Sequence, residues 1–429
     1  MLSEYSHQIK HRLPGLLSSF SRVTDPRKRE DYSLDEILMG GTSMFLFKQG
    51  SRNSINNKRC QESFAANYER YFKVRLPHQD TVSDVLCQLD SLELERVKMD
   101  MMSQLFEQKW LREYRLLGKY YPVAVDATGV VSFDHRHCEH CITKKSKSGK
   151  TTYFHYVLEA KLVTFAGHCL SLASEWVENP EGEFDKQDCE LKAFARLADK
   201  LKKQYPQLPV CILGDGLYPN NTVFDICENN NWKYLLVLQD KSMKSIQEEL
   251  VLSKRREPVA QSYKVESSTR ISSQYRYMDN IHYKKHILHW LQCIENKKKD
   301  VAGGERSDKE PKISTFEYLT NIEPDQKNII ELSATARLRW KIENEGFNTQ
   351  KKGDYELEHK YCRKSYQGLK NYYTLLQIAH LINQLVEKSK LVKQMLKEHS
   401  KQTIRNIWCY LIAYMLLIMP DNYIRPHPT

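Results

Sequence analysis

Long apolar runs are missing from the 429-residue chain. The longest, Ile407 to Met419, is about 13 residues, short of the roughly 20 that a helix needs to span a bilayer. A soluble protein with no membrane partner is expected. Met1 to Gly15 carries charges and a proline but lacks the apolar core of a secretory signal. Clustered cysteines are missing too. The 11 cysteines lie singly, apart from Cys138 and Cys141. Odd in number and without a secretory signal, they imply reduced thiols in a cytoplasmic protein. No internal repeat divides the chain.

What is present is a basic excess, 65 Lys and Arg against 54 Asp and Glu, a formal +11. That balance suits contact with a polyanion such as nucleic acid or an anionic membrane, although a solvated basic surface also accounts for it. The length suits two or three domains with a large core.

Residues 1–118 have helical periodicity. Ser33 is the expected cap of a run through Leu34, Ile37, Leu38, Met44, Phe45 and Phe47 that stops near Gly50. Asp80 or Thr81 should cap a second helix with Val82, Val85, Leu86 and Leu89, and a third spans about 92–117. Basic residues in the connections (Arg27, Lys28, Arg29, Arg52, Lys58, Arg59) permit DNA contact. A helical subdomain docked on a core fits the same pattern.

At Tyr121 the pattern turns to strands. Pro122 to Asp126 reads as a buried strand ending in a carboxylate, and 153–164 and 168–177 read as a hairpin turning at Ala166-Gly167. A helix from Lys186 follows. Pro209 to Asp215 is a second buried strand ending in a carboxylate, then come a helix at about 219–230 and a strand at 234–238. Residues 119–254 therefore form the first part of an α/β core. Residues 255–320 read as a β-rich insertion with strands at 271–278, 283–294 and 313–319, interrupted at 296–312 by an expected mobile loop. The core ends in 321–365, and long helices at about 366–398 and 401–419 make up 366–429. The fold class expected is α/β: a mixed sheet flanked by helices, with helical regions at both ends.

Two strand-end aspartates, Asp126 and Asp215, would meet at one sheet edge if their strands are parallel neighbours. Glu343 lies in a later amphipathic stretch, Arg337 to Asn348, one turn after Arg339. An i,i+4 ion pair worth about 0.2–0.5 kcal/mol is one reason for that spacing. The other is that Glu343 completes an acidic metal site. Two carboxylates about 4 Å apart repel by roughly 4 kcal/mol even at an effective dielectric near 20, and divalent cations relieve that repulsion.

Asp126…Asp215…Glu343, in this order of elements, resembles the DDE transposases of bacterial insertion sequences, which have an RNase-H-like core. One group interrupts that core with a β-strand insertion before the last acidic residue. The resemblance runs from about Pro26 to about Gln384. Its most specific words are Val-Asp-Ala-Thr-Gly at 125–129, Lys-Gln-Asp-Cys-Glu at 186–190, Gly-Asp-Gly-Leu-Tyr at 214–218 and Arg-Trp-Lys-Ile-Glu-Asn-Glu-Gly-Phe-Asn at 339–348. The separations of 89 and 128 residues agree with the group. The resemblance implies Mg²⁺-dependent cutting of transposon ends, with Mn²⁺ as a substitute, and joining of the 3′-hydroxyl to target DNA by a dimer on DNA. Its Tyr-x2-Arg-x3-Glu-x6-Lys signature is matched at Arg339 and Glu343, but Ala336 and Gln350 stand at the tyrosine and lysine positions. Those departures bear on phosphate contacts and on any hairpin intermediate. An RNase-H-like nuclease without strand joining, or a captured transposase kept for DNA binding, are the alternatives.

Around this site, Arg339 is expected to steer the scissile phosphate, with Arg337, Lys341, Lys351 and Lys352 as possible phosphate clamps; a solvated face is favoured for Lys341. Glu345 should be a bystander, and Cys189 a packing residue. Trp290 in the insertion is either the aromatic that stacks a flipped base in related transposases or a strand-core tryptophan. His135-x-His137-Cys138-x2-Cys141, with His140, is half of a zinc pattern. No second Cys-x2-Cys follows, although His155, His359 or Cys362 could approach by folding. Zinc is not expected on that basis. The alternative is a Lys/His-rich loop running to Lys144–Lys150 that tracks DNA phosphates.

Overall fold

Among the described residues seven α-helices precede the first strand: α1 (Leu2–Arg12), α2 (Leu16–Ser21), α3 (Leu34–Leu46), α4 (Arg52–Arg59), α5 (Glu62–Phe72), α6 (Gln79–Leu86) and α7 (Ser91–Glu107). The computed structural model describes residues 2–179, 186–266, 269–299, 310–399 and 401–417. At the start of α3 the Glu36 carboxylate accepts the Ser33 backbone N–H at 2.9 Å, closing the expected cap reciprocally. Nearly all of α3 is buried. It can be so because Gly41 carries no Cβ; one there would come within 2.7 Å of Leu375. Two expectations are corrected. The cap of α6 is His78, two residues before Asp80, and α7 stops at Glu107, where Lys109 turns the backbone left-handed at φ 58°.

The sheet then builds from β1 (Tyr121–Phe133), β2 (Ile142–Lys145), β3 (Thr151–Val163), β4 (Cys169–Val177), β5 (Val210–Gly214), β6 (Lys233–Val237), β7 (Ala260–Glu266), β8 (Thr269–Tyr283), β9 (His286–Lys299) and β10 (Lys312–Thr320). Helices α8 (Glu190–Gln204), α9 (Asn221–Asn229) and α10 (Lys244–Ser253) connect β4 to β7. These ten strands form one mixed sheet in the order β2-β3-β1-β5-β6-β10-β9-β8-β7, with β4 also paired to β3. Strands β1, β5 and β6 are parallel, which the buried apolar runs Tyr121–Val125 and Val210–Gly214 permit. The strands of 255–320 extend this sheet, because β10 pairs antiparallel with β6 through Tyr318 and Val237. Of the expected mobile loop, 296–299 belongs to β9 and Lys312 opens β10; 300–309 lie outside the described residues.

After the sheet come α11 (Ile329–Arg337), a π-helical segment (Ile342–Asn348), α12 (Thr349–Lys352), α13 (Tyr366–Glu387), α14 (Lys390–Glu398) and α15 (Ile404–Met415). The expected helix at 366–398 is two helices, since Ser389 caps α14 by accepting the Val392 N–H at 3.3 Å. Helix α13 is buried almost throughout and packs on α1, α3, α7 and β4, joining the N-terminal helices to the sheet. No described helix is long and apolar enough to cross a membrane.

A buried polar network fastens that junction. Glu159 on β3 is wholly buried and accepts hydrogen bonds from Ser171 (2.7 Å), Ser174 and Tyr373 (2.9 Å), with Lys161 3.4 Å away. Lys98 of α7, also wholly buried, reaches Ser174 at 2.6 Å and Glu95 at 3.0 Å. Burial pushes the Glu159 carboxyl up, but Lys161, Lys98 and the hydroxyl donors outweigh it and hold the pKa below the ordinary value. The stability so contributed is present above the unfolded carboxylate pKa and lost as pH falls through the lowered one. Glu159→Leu leaves Lys161 buried without its counter-charge, while Lys98 keeps Glu95, and is expected to cost about 3–5 kcal/mol in denaturant melts. A loss under about 1 kcal/mol, the range of an exposed pair, would refute this account.

Candidate active site

The parallel pairing of β1 with β5 directs two aspartates towards the same end of the strands. Its register sets Tyr121 against Val210 and Ala124 against Leu213, an offset of 89 residues. Asp126 and Asp215 are separated by the same 89, so continuing the register two residues past Ala124 aligns them. Asp126 sits in β1, its Oδ1 accepting the Ala127 N–H at 2.8 Å. Asp215 follows β5 directly, and its Oδ1 accepts the Leu217 N–H at 2.9 Å, fixing the turn into α9.

Glu343 comes from the π-helical segment, which packs against β1 and β4. One guanidinium joins it to Asp126: Arg339 Nη1 lies 2.7 Å from Glu343 and 3.7 Å from Asp126. Arg339 is buried, so its charge acts at reduced dielectric. Gly346 lets the segment settle on the sheet, since a Cβ there would meet Cys169 at 3.2 Å and Lys161 at 3.5 Å. Glu345 faces elsewhere and pairs with Lys341 at 2.7 Å. Both i,i+4 pairs therefore form, and one of them is also part of the acidic cluster.

A fourth carboxylate belongs here that sequence reasoning left without a role. Glu190, in the first turn of α8, accepts a hydrogen bond from the Tyr218 hydroxyl at 2.7 Å. Burial raises its pKa, and Asp215 raises it further. Both residues lie inside words already noted, 186–190 and 214–218, which was the available signal. Burial also drives Asp126 up, from 3.8 to about 7; the Ala127 N–H and Arg339 pull it down, while Glu343 and Glu190 add to the rise. Tyr156 reaches about 12 through burial and the negative charge of Glu190, Asp126 and Asp215.

The flanking residues sort differently from expectation. Arg337 does not bracket the site: it pairs with Glu295 and lies over Phe316 at 4.3 Å. Lys341 is half-buried in its pair with Glu345 rather than on a solvated face. Lys351 pairs with Glu358 at 2.8 Å, and Lys352 is exposed. Gln350, at the signature's lysine position, is buried and bonded to Gln377 and His380, each at 2.8 Å. Ala336, at the tyrosine position, is buried in α11. Cys189 is exposed beside α8 rather than packed. Trp290 is wholly buried in β9, the strand-core alternative, and offers no face to a base. Beside Arg339 lies a half-exposed aromatic, Trp340, with the guanidinium 4.7 Å from its ring.

Hard oxygen donors around a buried cation suit Mg²⁺ better than a soft metal. Asp126, Asp215 and Glu343 would hold it, with Glu190 behind them. Among the described residues, Cys138, Cys141 and His155 are the one group of three or more metal-ligating side chains with donor atoms all within 4.8 Å of one another. The carboxylates are spread more widely, as mutually repelling groups sharing one guanidinium should be.

The Asp126 shift sets a pH dependence. Between about pH 4 and 7 the native state keeps a proton that the unfolded chain has released, so stability falls as pH rises through that window. Asp126→Asn is expected to flatten this fall in melts between pH 5 and 8 in chelator; an unchanged slope refutes the assignment. Trp290→Ala should cost about 3–5 kcal/mol as a core truncation, and Trp340→Ala under about 0.5 kcal/mol. Denaturant titration of both variants checks the contrast.

No family model matches the sequence, and no curated protein matches it.

Proposed function

We propose that this chain is a DNA transposase of the DDE type, built on an RNase-H-like core. The observation that carries the proposal is the meeting of Asp126 and Glu343 on one buried guanidinium, beside the strand register that aligns Asp215 with Asp126. The mixed order β4-β3-β1-β5-β6, in which β3 pairs antiparallel with both β1 and β4 while β1, β5 and β6 run parallel, supports the same reading. Strands β7–β10 occupy the position of the family's insertion before the last acidic residue.

Two divalent cations, when bound, supply activation of a water or 3′-hydroxyl and stabilisation of the leaving oxygen of a phosphodiester. Asp126 and Asp215 hold the strand side of the site, and Glu343 closes it from the π-helical segment. Arg339 is the counter-ion of the carboxylates in this structure. Once their charge is otherwise neutralised, its guanidinium is free to orient the scissile phosphate bidentately. Tyr156 and the Glu190–Tyr218 pair line the carboxylates and keep bulk water from one side. Gln350 is engaged in the core, so phosphate contacts near the strand end fall to Lys352 and, after exchange from Glu358, to Lys351. A groove of about 490 Å³ is lined by Tyr156, Ser132, Lys144, Lys360 and Glu358 among others, and its two lysines could contact DNA phosphates. Paired cutting of two ends makes a dimer on DNA the working assembly.

The test uses labelled DNA carrying the inverted repeats that flank the reading frame, with Mg²⁺. End cleavage followed by joined products is expected. Asp126→Asn, Asp215→Asn and Glu343→Gln should each lower cleavage by at least about 100-fold while leaving DNA binding in place. Cuts without joining would leave only a nuclease. Binding alone, or no flanking repeats in the genome, would overturn the transposase reading in favour of a captured DNA-binding protein.

A further inference from the structure

The loop after β1 and the middle of β3 bring together Cys138, Cys141 and His155, far from the acidic residues. Strand pairing explains why. Ile142, which opens β2, lies opposite Phe154 of β3, so Cys141 comes next to His155. The Cys-x2-Cys spacing folds into a turn, with the Cys141 N–H on the Cys138 carbonyl at 3.4 Å, and this presents both sulfurs to the same point. The Sγ atoms are 3.8 Å apart, and His155 Nε2 is 3.4 Å from Cys138 Sγ and 3.6 Å from Cys141 Sγ.

These separations have a definite chemical meaning. A tetrahedral zinc ion with Zn–S near 2.3 Å and Zn–N near 2.05 Å places its ligands about 3.8 Å apart for S···S and about 3.6 Å for S···N. The triangle observed here is one face of that tetrahedron. The sulfurs are too far apart for a disulfide, which needs about 2.05 Å. Cys141 and His155 are buried, and the His155 ring is held against Tyr366 with centroids 4.4 Å apart. The side away from Cys141 opens on a cavity of about 130 Å³ lined by Cys138, His155, His137 and Cys362.

We propose that Cys138, Cys141 and His155 bind a structural zinc ion. Both thiols lose their protons to solvent on binding, and two thiolates with a neutral imidazole cancel the charge of Zn²⁺, which suits a buried site. The fourth position faces the cavity, where a water or a turn of the His137 or Cys362 side chain completes the tetrahedron. The ion pins residues 134–141 to β3. It thereby sets the position of the exposed basic edge Lys144–Lys150 that follows on β2. His155 lies opposite Val131, five residues along β1 from Asp126 and so roughly 17 Å away. The two metal centres are therefore independent, and this inference does not rest on the transposase reading.

The experiment is metal analysis of the full chain purified without chelator. About one Zn per chain is expected, falling below about 0.2 in the Cys138→Ser, Cys141→Ser double variant and unchanged in Asp126→Asn. Wild-type protein that holds less than about 0.2 Zn after incubation with zinc and dialysis overturns the proposal. Zinc retained in the double variant overturns it as well. Should that variant fail to fold, the wild type alone decides. Stripped of metal and titrated with Co²⁺, it should develop thiolate-to-cobalt charge-transfer absorption that saturates at about one equivalent. The oxygen ligands of the acidic site cannot produce that signal, so its absence refutes the assignment.

Discussion

The junction between β3, α7 and α13 depends on one wholly buried carboxylate, Glu159. Its charge is tolerable only because Lys161, Lys98, two serines and Tyr373 converge on it from four elements, β3, α7, β4 and α13. A network this deep gains little net energy over an apolar core, since desolvation opposes the Coulomb term. Its effect is geometric: few other arrangements of these elements satisfy every member. Lys161 also donates to Gln377 of α13 at 2.5 Å and lies under Gly346 and Phe347 of the π-helical segment. The platform that supports Glu343 is therefore the same one that joins the N-terminal helices to the sheet. Glu159 itself is the antiparallel partner of Asp126.

The acidic site has the opposite character. Burial raises the Asp126 pKa, and the one guanidinium that Asp126 shares with Glu343 pulls it down without cancelling that rise. Other buried carboxylates have counter-ions at hand, as Glu159 has Lys161 and Asp188 has Arg196. In the proposed transposase site, bound divalent cations would supply the positive charge that its carboxylates lack. The π-helical segment contributes by its irregularity: Glu343 turns to Arg339 while Glu345, two residues on, turns to Lys341.

Much of this arrangement was legible in the residues themselves. The two buried strands announced themselves because both of their faces are covered, leaving uninterrupted apolar runs that end in carboxylates. Equal spacing in register and in sequence then aligned Asp126 with Asp215. Other features had no local signal. Strand β7 is exposed over most of its length, so Gln261 to Glu266 show no buried alternation. The π-helical turns share the apolar spacing of an α-helix. Trp290 sits in a strand whose pattern is the same whether its ring meets a base or the core, and only its burial decides. His155 joins Cys138 and Cys141 through the β2–β3 ladder, a non-local pairing that no motif spacing encodes. Gln350 looked like a lost phosphate contact, yet it is a core amide held by Gln377 and His380.

The union of β10 with β6 has a mechanical consequence. A region attached by two linkers can swing independently of its host. Strands β7 to β10 instead continue the hydrogen-bond ladder that carries β5, through three residue pairs between β10 and β6. A backbone path of paired strands, β7, β8, β9, β10 and β6, thus runs from the outer edge near Tyr263 and Val265 to β5.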